Sequence, residues 1–153
     1  MSNSLTVHTI QESGSSAIDA IYYLTKAQDA IKEENLLLAM ENLFKAHSIE
    51  PDEIEILAAM IDIQGKLEHW EQMLPNLDLL IRSQPDEISW PIRRLAVLHD
   101  SEAFEKLLED SLLFLKQYPK NLKVMALQAS AYHELNNYSL GLDVVNSLIE
   151  LDS

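Results

Sequence analysis

The chain has no cysteine among its 153 residues, which removes disulfides, thiol nucleophiles and thiolate metal sites in one step. A reducing compartment is compatible with that. Glycine and proline are scarce as well, at 3 and 5 copies, too few for a turn-rich β protein or a disordered chain, so composition favours helix. No run of about 18 consecutive apolar residues occurs, and the opening MSNSLTVHTIQESGSS lacks the basic start and apolar stretch of a signal peptide. A soluble, cytoplasmic protein with no membrane insertion is expected. In that setting the Asn137-Tyr138-Ser139 match to a glycosylation acceptor is accidental. Basic residues are also short. Eleven Lys and Arg against 25 Asp and Glu give a formal net charge of −14, which repels phosphate backbones and anionic lipid and excludes nucleic acid as the expected partner. There is no phosphate-binding glycine loop, no H-E-x-x-H and no G-x-S-x-G. The chain is therefore read as no enzyme, with no cofactor and no metal.

What is present is a beat. Pro51, Pro85 and Pro119 close the phrases SIEPDE, RSQPDE and KQYPKN at intervals of 34 residues, and Leu36, Trp70, Phe104 and Tyr138 keep the same spacing. Between these markers the apolar residues recur with helical period, as in Ile18, Ile21, Tyr22, Leu24 and Ala27, then Leu36, Ala39, Met40, Leu43 and Ala46. Each proline closes a pair of helices of roughly 14 residues, about 21 Å long at 1.5 Å per residue and too short to persist alone in water. Every pair needs its neighbours.

Taken in order, residues 1–15 read as a flexible leader and 16–153 as a single domain, with units at about 20–53, 54–87, 88–121 and 122–153. Ser16 reads as the N-cap of the first helix, with Asp19 in the first turn. Pro75 predicts a kink or a late start in the helix expected from His69 to about Arg82, because an interior proline forfeits a hydrogen bond. Ser89-Trp90-Pro91 predicts a capping serine and a short helix, with His99-Asp100-Ser101 as the turn after it. Asn136-Asn137 reads as a helix end. Trp70, Phe104 and Tyr138 are expected in the core, and Glu102, Glu105, Glu109 and Asp110 on a solvated helix face.

A 34-residue period closed by proline resembles the tetratricopeptide repeat, with its pattern W-x2-L-G-x2-Y, A-x3-F and P. The fourth unit carries Ala129, Tyr132, Tyr138, Gly141, Val145 and Leu148 at corresponding places, and the first carries Ala27, Ala39, Leu43, Ala46 and Pro51. The resemblance covers about Ile18 to Ser153. It implies an all-α fold, a right-handed superhelix of antiparallel helix pairs (a TPR-like α-solenoid), in which the first helix of each unit lines a concave groove. Its implied function is a protein-interaction scaffold binding a peptide or helical segment of a partner protein.

By that alignment the groove offers Thr25 and Gln28, Glu55 and Asp62, Ser89, Arg93 and His99, then Lys123, Ser130 and His133. Leu24, Gln28 and Ala59 stand where some members of the family clamp a chaperone's terminal carboxylate, so capture of an acidic tail is not expected. His99 and His133 are register equivalents, open to a peptide-contacting or merely solvated role and, as a pair, to metal binding or pH sensing, although two ligands alone make a poor metal site. The last helix, with Leu140, Val144 and Leu151 on one side, lacks the polar outer face of a cap and is expected to meet a partner, with a homodimer as one form of that contact. Two other readings stay open: a secretion chaperone of the type III translocator class, similar in size, charge and repeat number, and a structural subunit of a larger assembly.

Overall fold

A computed structural model describes residues 4–153, with side chains described for residue 14 and from 16 onward. Its elements are α1 (Ser4–Lys32), α2 (Leu36–Ile49), α3 (Ile54–Lys66), α4 (Trp70–Ser83), α5 (Ser89–Asp100), α6 (Phe104–Gln117), α7 (Leu122–Glu134) and α8 (Tyr138–Asp152). No strand occurs among the described residues. The chain divides into two compact units, Met1–His69 and Trp70–Ser153. That division falls within the second 34-residue repeat, between its two helices, where the sequence is read as one continuous domain.

In unit 1, α1 packs on α2 and α2 on α3. Ala27, Ala30, Ala39 and Ala46 let the helices approach closely, while Leu43, Ile56, Met60 and Ile63 fill the remaining space, with Leu24, Ile31 and Leu36 around them. Each fully buried Leu or Ile contributes about 1.5–3 kcal/mol relative to exposure. In unit 2, α5 packs on α4, α6 and α7, and α7 packs on α6 and α8. Its core joins Leu95, Leu98, Leu107, Val124 and Ala131, edged by Leu108, Phe114, Leu115 and Leu127.

The first helix of every repeat ends in one motif. Glu34, Glu68, Glu102 and Asn136, again 34 apart, are the non-glycine residues with positive φ among the described residues, between 57° and 60°. Their N–H groups donate to Ile31, Gly65, His99 and His133, and the next residues donate back to Ala30, Gln64, Leu98 and Tyr132 at 2.7–2.9 Å. This double closure is the Schellman arrangement, which satisfies two of the carbonyls a helix end leaves unpaired. It turns the chain from the first helix into the second within three residues.

Several expectations change. α1 begins at Ser4 rather than after a cap at Ser16, so residues 4–15 continue the helix. Once Ala20, Ala27 and Ala30 anchor it, extension adds one hydrogen bond per residue fixed, and no proline intervenes. α4 spans Pro75 without a late start, the exposed proline leaving the Glu71 carbonyl without its helical donor. α5 starts at Ser89 itself. Its first turn is closed by Glu87, whose Oε1 accepts from Ser89 N–H at 3.1 Å, and His99 and Asp100 lie within the helix rather than in the turn. Tyr138 is 57% exposed, and Trp70 and Phe104 are half-buried, so the periodic aromatics sit at helix starts on the edge of the core. Asp110 is no solvated acid: it is tied to Arg94.

Candidate functional site

Two helix faces carry the residues singled out from the sequence, one in each unit. In unit 1 the face is made by α1 and α3. Gln28 Nε2 of α1 donates to Glu55 Oε1 of α3 at 3.3 Å, so these two candidates meet. Thr25 donates instead to the carbonyl of Ile21, one turn back in its own helix, at 2.9 Å, and Asp62 is exposed one turn from the end of α3. Beside the Gln28–Glu55 bond lies a hollow of about 390 Å³. Ala17, Ala20 and Leu24 of α1 and Ile56 of α3 give it an apolar floor, and Ile21 stands at its lip. Glu50 and Glu53 from the α2–α3 connection and Glu55 from the first turn of α3 complete the rim.

In unit 2 the face is made by α5 and α7, which touch directly. His99 Nε2 lies 2.9 Å from Ser130 Oγ, and His99 Nδ1 lies 3.2 Å from Asp100 Oδ1. The order Ser130, His99, Asp100 has the outline of a nucleophile relay, which also needs free backbone donors for an oxyanion. Ser130 is in the middle of α7, where the neighbouring N–H groups are committed to the helix. The arrangement instead pins two adjacent helices together by polar contacts. Arg93 is half-buried on α5, Ser89 is exposed at its first residue, and Lys123 and His133 are exposed on α7. His99 and His133 each meet the aromatic ring five residues onward edge to face, Phe104 at 5.9 Å and Tyr138 at 5.3 Å. Among the described residues no group of three His, Asp or Glu side chains is arranged to hold a metal ion.

Arg94, which the sequence reading passed over, carries the main charge cluster of unit 2. Its Nε donates to Asp78 of α4 at 2.8 Å and its Nη1 to Asp110 of α6 at 2.7 Å, with Lys106 Nζ a further 3.0 Å from Asp110. Hydrogen bonds to Asp110 and then Glu109 accordingly hold the Lys106 ammonium above its ordinary pKa. The signal was present in the register: Arg94 stands 34 residues from Met60 and 34 from Gln128, both buried. A cation at a core position requires partners.

At the C-terminal helix, Leu140 and Leu151 are exposed and Val144 is half-buried, and the sequence pattern also extends the apolar surface to a second strip. Leu142, Val145 and Ile149 are 59%, 39% and 63% exposed. Their register equivalents on α6 are Leu108, Ser111 and Leu115. Ser111 is fully buried, and the two leucines are half-buried against the core that α7 helps to form. Gly141 marks the α7–α8 crossing, where an added Cβ would lie 3.4 Å from Tyr132 Cβ.

No family model and no curated protein sequence matches the chain. Solved structures do. A crystal structure of a tetratricopeptide repeat protein from Parabacteroides merdae superposes with a TM-score of 0.71 at 19% identity, over 87% of this chain and 53% of that one. The fold is the tetratricopeptide-repeat fold. MamA from MSR-1 superposes on it with a TM-score of 0.74 at 18% identity, over 88% of this chain and 77% of that chain. MamA from Desulfovibrio magneticus RS-1 gives 0.70, again at 18% identity, over 88% and 76%. At such identities the likeness speaks for the arrangement of tetratricopeptide helix pairs alone, and among the described residues no helix is long and apolar enough to cross a membrane.

Proposed function

We propose that this protein is a non-enzymatic interaction scaffold of the cell interior that binds a peptide or helical segment of a partner protein on the faces made by the first helices of its repeats. The observation that carries this reading is the apolar-floored hollow between α1 and α3, rimmed by Glu50, Glu53 and Glu55. Shallow apolar hollows flanked by a few polar groups suit a segment with an apolar anchor, the mode by which helical grooves take peptides. The α5–α7 face, with His99, Ser130, Arg93 and Lys123, offers polar contacts of the kind that fix register.

The test is affinity purification with mass spectrometry on the full chain and on a variant combining Arg93→Glu, Lys123→Glu and Ile21→Lys. Loss of a specific partner from the variant, with its melting curve unchanged, supports the reading. Identical recovery of every partner overturns it.

A second reading is favoured by one observation, the exposed strip Leu142, Val145 and Ile149 on α8. Apolar residues so clustered mark contact surfaces, which suits a subunit that meets a second copy or an assembly partner through its last helix. Sedimentation of the wild-type chain and of Val145→Glu/Ile149→Glu over a range of concentrations tests it. Self-association lost in the variant supports a homodimer, and a monomer at every concentration removes it.

A further inference from the structure

We infer that the hollow between α1 and α3 selects a cationic partner: a peptide segment with one apolar anchor flanked by arginine or lysine. This deepens the proposed scaffold reading and rests on it. Three features of unit 1 point the same way. First, the rim carries three carboxylates over an apolar floor, so a ligand that covers Leu24 and Ile56 must bring its own neighbouring groups against Glu50, Glu53 and Glu55. Apolar or acidic neighbours would strand those charges, whereas guanidinium groups would engage them in charge-assisted hydrogen bonds.

Second, no cation among the described residues neutralises this rim. Glu55 accepts only the neutral Gln28 amide, and no ion pair among the described residues engages Glu50 or Glu53. Three of the four lysines of unit 1 are occupied elsewhere, Lys45 with Glu41, Lys32 with Asp29 and Lys26 over the Tyr22 ring, and Lys66 stands in the last turn of α3, at the opposite end of that helix from Glu55. Unit 1 has twelve acidic and four basic residues, so its field adds to that of the rim.

Third, the placement of Glu50 works against local stability. Glu53 and Glu55 suit the positive N-terminal end of α3, but Glu50 is the C-cap of α2, the negative end of that helix, where a carboxylate is disfavoured. An acid kept at the wrong helix end beside two others makes sense where a cation is to be received. A long basic side chain fits in shape as well, because its aliphatic stem can lie along Ile21 and Leu24 while its head reaches the rim.

The experiment is fluorescence anisotropy of the full chain with three labelled synthetic peptides, each holding a leucine flanked on both sides by two arginines, two glutamines or two glutamates. The arginine peptide should bind, and Glu50→Gln/Glu53→Gln/Glu55→Gln should weaken it by about tenfold or more, since closely apposed charges dominate such recognition. As a control, Glu102→Gln/Glu105→Gln/Glu109→Gln removes the same charge from α6 and its preceding turn and should change affinity less than about threefold at physiological salt, where charges that do not line the hollow are screened. Equal weakening by both triple variants would mean a diffuse field and overturn the inference. Binding of the glutamine peptide as tightly as the arginine peptide, abolished by Ile21→Lys, would also overturn it while leaving the scaffold reading intact. No binding of the arginine peptide to a chain with a native melting curve overturns it outright, and the partner-recovery experiment then decides the scaffold reading separately.

Discussion

Met60 in unit 1 and Arg94 in unit 2 occupy the same place in the 34-residue register, one repeat apart, and the two units pack around them in opposite ways. Met60 is buried beside Ile56 and Ile63 in an apolar stack. Arg94 reaches two carboxylates on two other helices. Unit 1 is thus held by non-directional burial that tolerates small shifts, whereas unit 2 adds a clamp that works only when α4, α5 and α6 stand in one geometry. Ion pairs of this kind add little net stability over an apolar replacement, because desolvation offsets their attraction, but removing one partner leaves the others uncompensated. The comparison teaches that one repeat register can be satisfied by volume or by charge.

The largest expected effect tests the feature both units share. Leu43→Ala in unit 1 and Leu107→Ala in unit 2 each empty a fully buried site and should cost about 3 kcal/mol, read as a shift of the denaturation midpoint. A much smaller loss in either would mean that its core is looser than the packing implies.

Next comes the clamp. Arg94→Ala should cost about 2 kcal/mol, below the value for a fully buried pair because Asp78 is 44% exposed. Arg94→Met combined with Asp78→Asn and Asp110→Asn, which gives unit 2 the solution of unit 1, should recover most of that loss. If the triple variant is no better than Arg94→Ala, the charges contribute stability that volume cannot replace, and the contrast between the units is one of strength as well as kind.

The turn residues give a smaller effect, and one that should not distinguish the units. Glu34→Gly, Glu68→Gly and Glu102→Gly each relieve a side chain held at positive φ and should stabilise by about 1 kcal/mol. Unequal gains would show that one of these glutamates makes a compensating contact.

The smallest effect is the pH dependence contributed by Glu87 in unit 2. Hydrogen bonds from the Ser89 side chain and then its backbone N–H hold the Glu87 carboxyl below its ordinary value of 4.5. A depressed acid contributes stability that is present above its unfolded value and lost as pH falls through its folded one. Glu87→Gln should therefore be slightly less stable than wild type at neutral pH, with the difference closing in acid below about pH 4.5. A difference that persists at low pH would mean that charge is not what Glu87 supplies.

The repeat itself was fully legible in the sequence, because proline and the apolar period report backbone and burial directly. Gln28, Glu55, His99 and Ser130 are expected along one groove, but not as the pairs Gln28–Glu55 and His99–Ser130, whose members stand 27 and 31 residues apart and so fall outside the 34-residue register. Other features were less legible. Asn136 reads as a helix end, but in the other repeats the αL turn falls on glutamate instead of glycine or asparagine, so Glu34, Glu68, Glu102 and Asn136 do not stand out as a further series at the same spacing. The Arg94 clamp depends on side chains sixteen residues to either side, which no helical period connects. The acidic rim joins a loop to a neighbouring helix, and its meaning came from the hollow it surrounds. A recurring aromatic predicts burial, but the recurring position lies at a helix start, which leaves Tyr138 exposed.

The most direct test of the scaffold account is hydrogen exchange on the full chain, alone and with a recovered partner segment bound. The account predicts added protection in the exposed turns of α1 and α3, around Ala17–Leu24 and Glu53–Ile56, and along α5 and α7, with α4 and α6 unchanged. Protection confined to α4 and α6, with α1 and α3 unaltered, would contradict it.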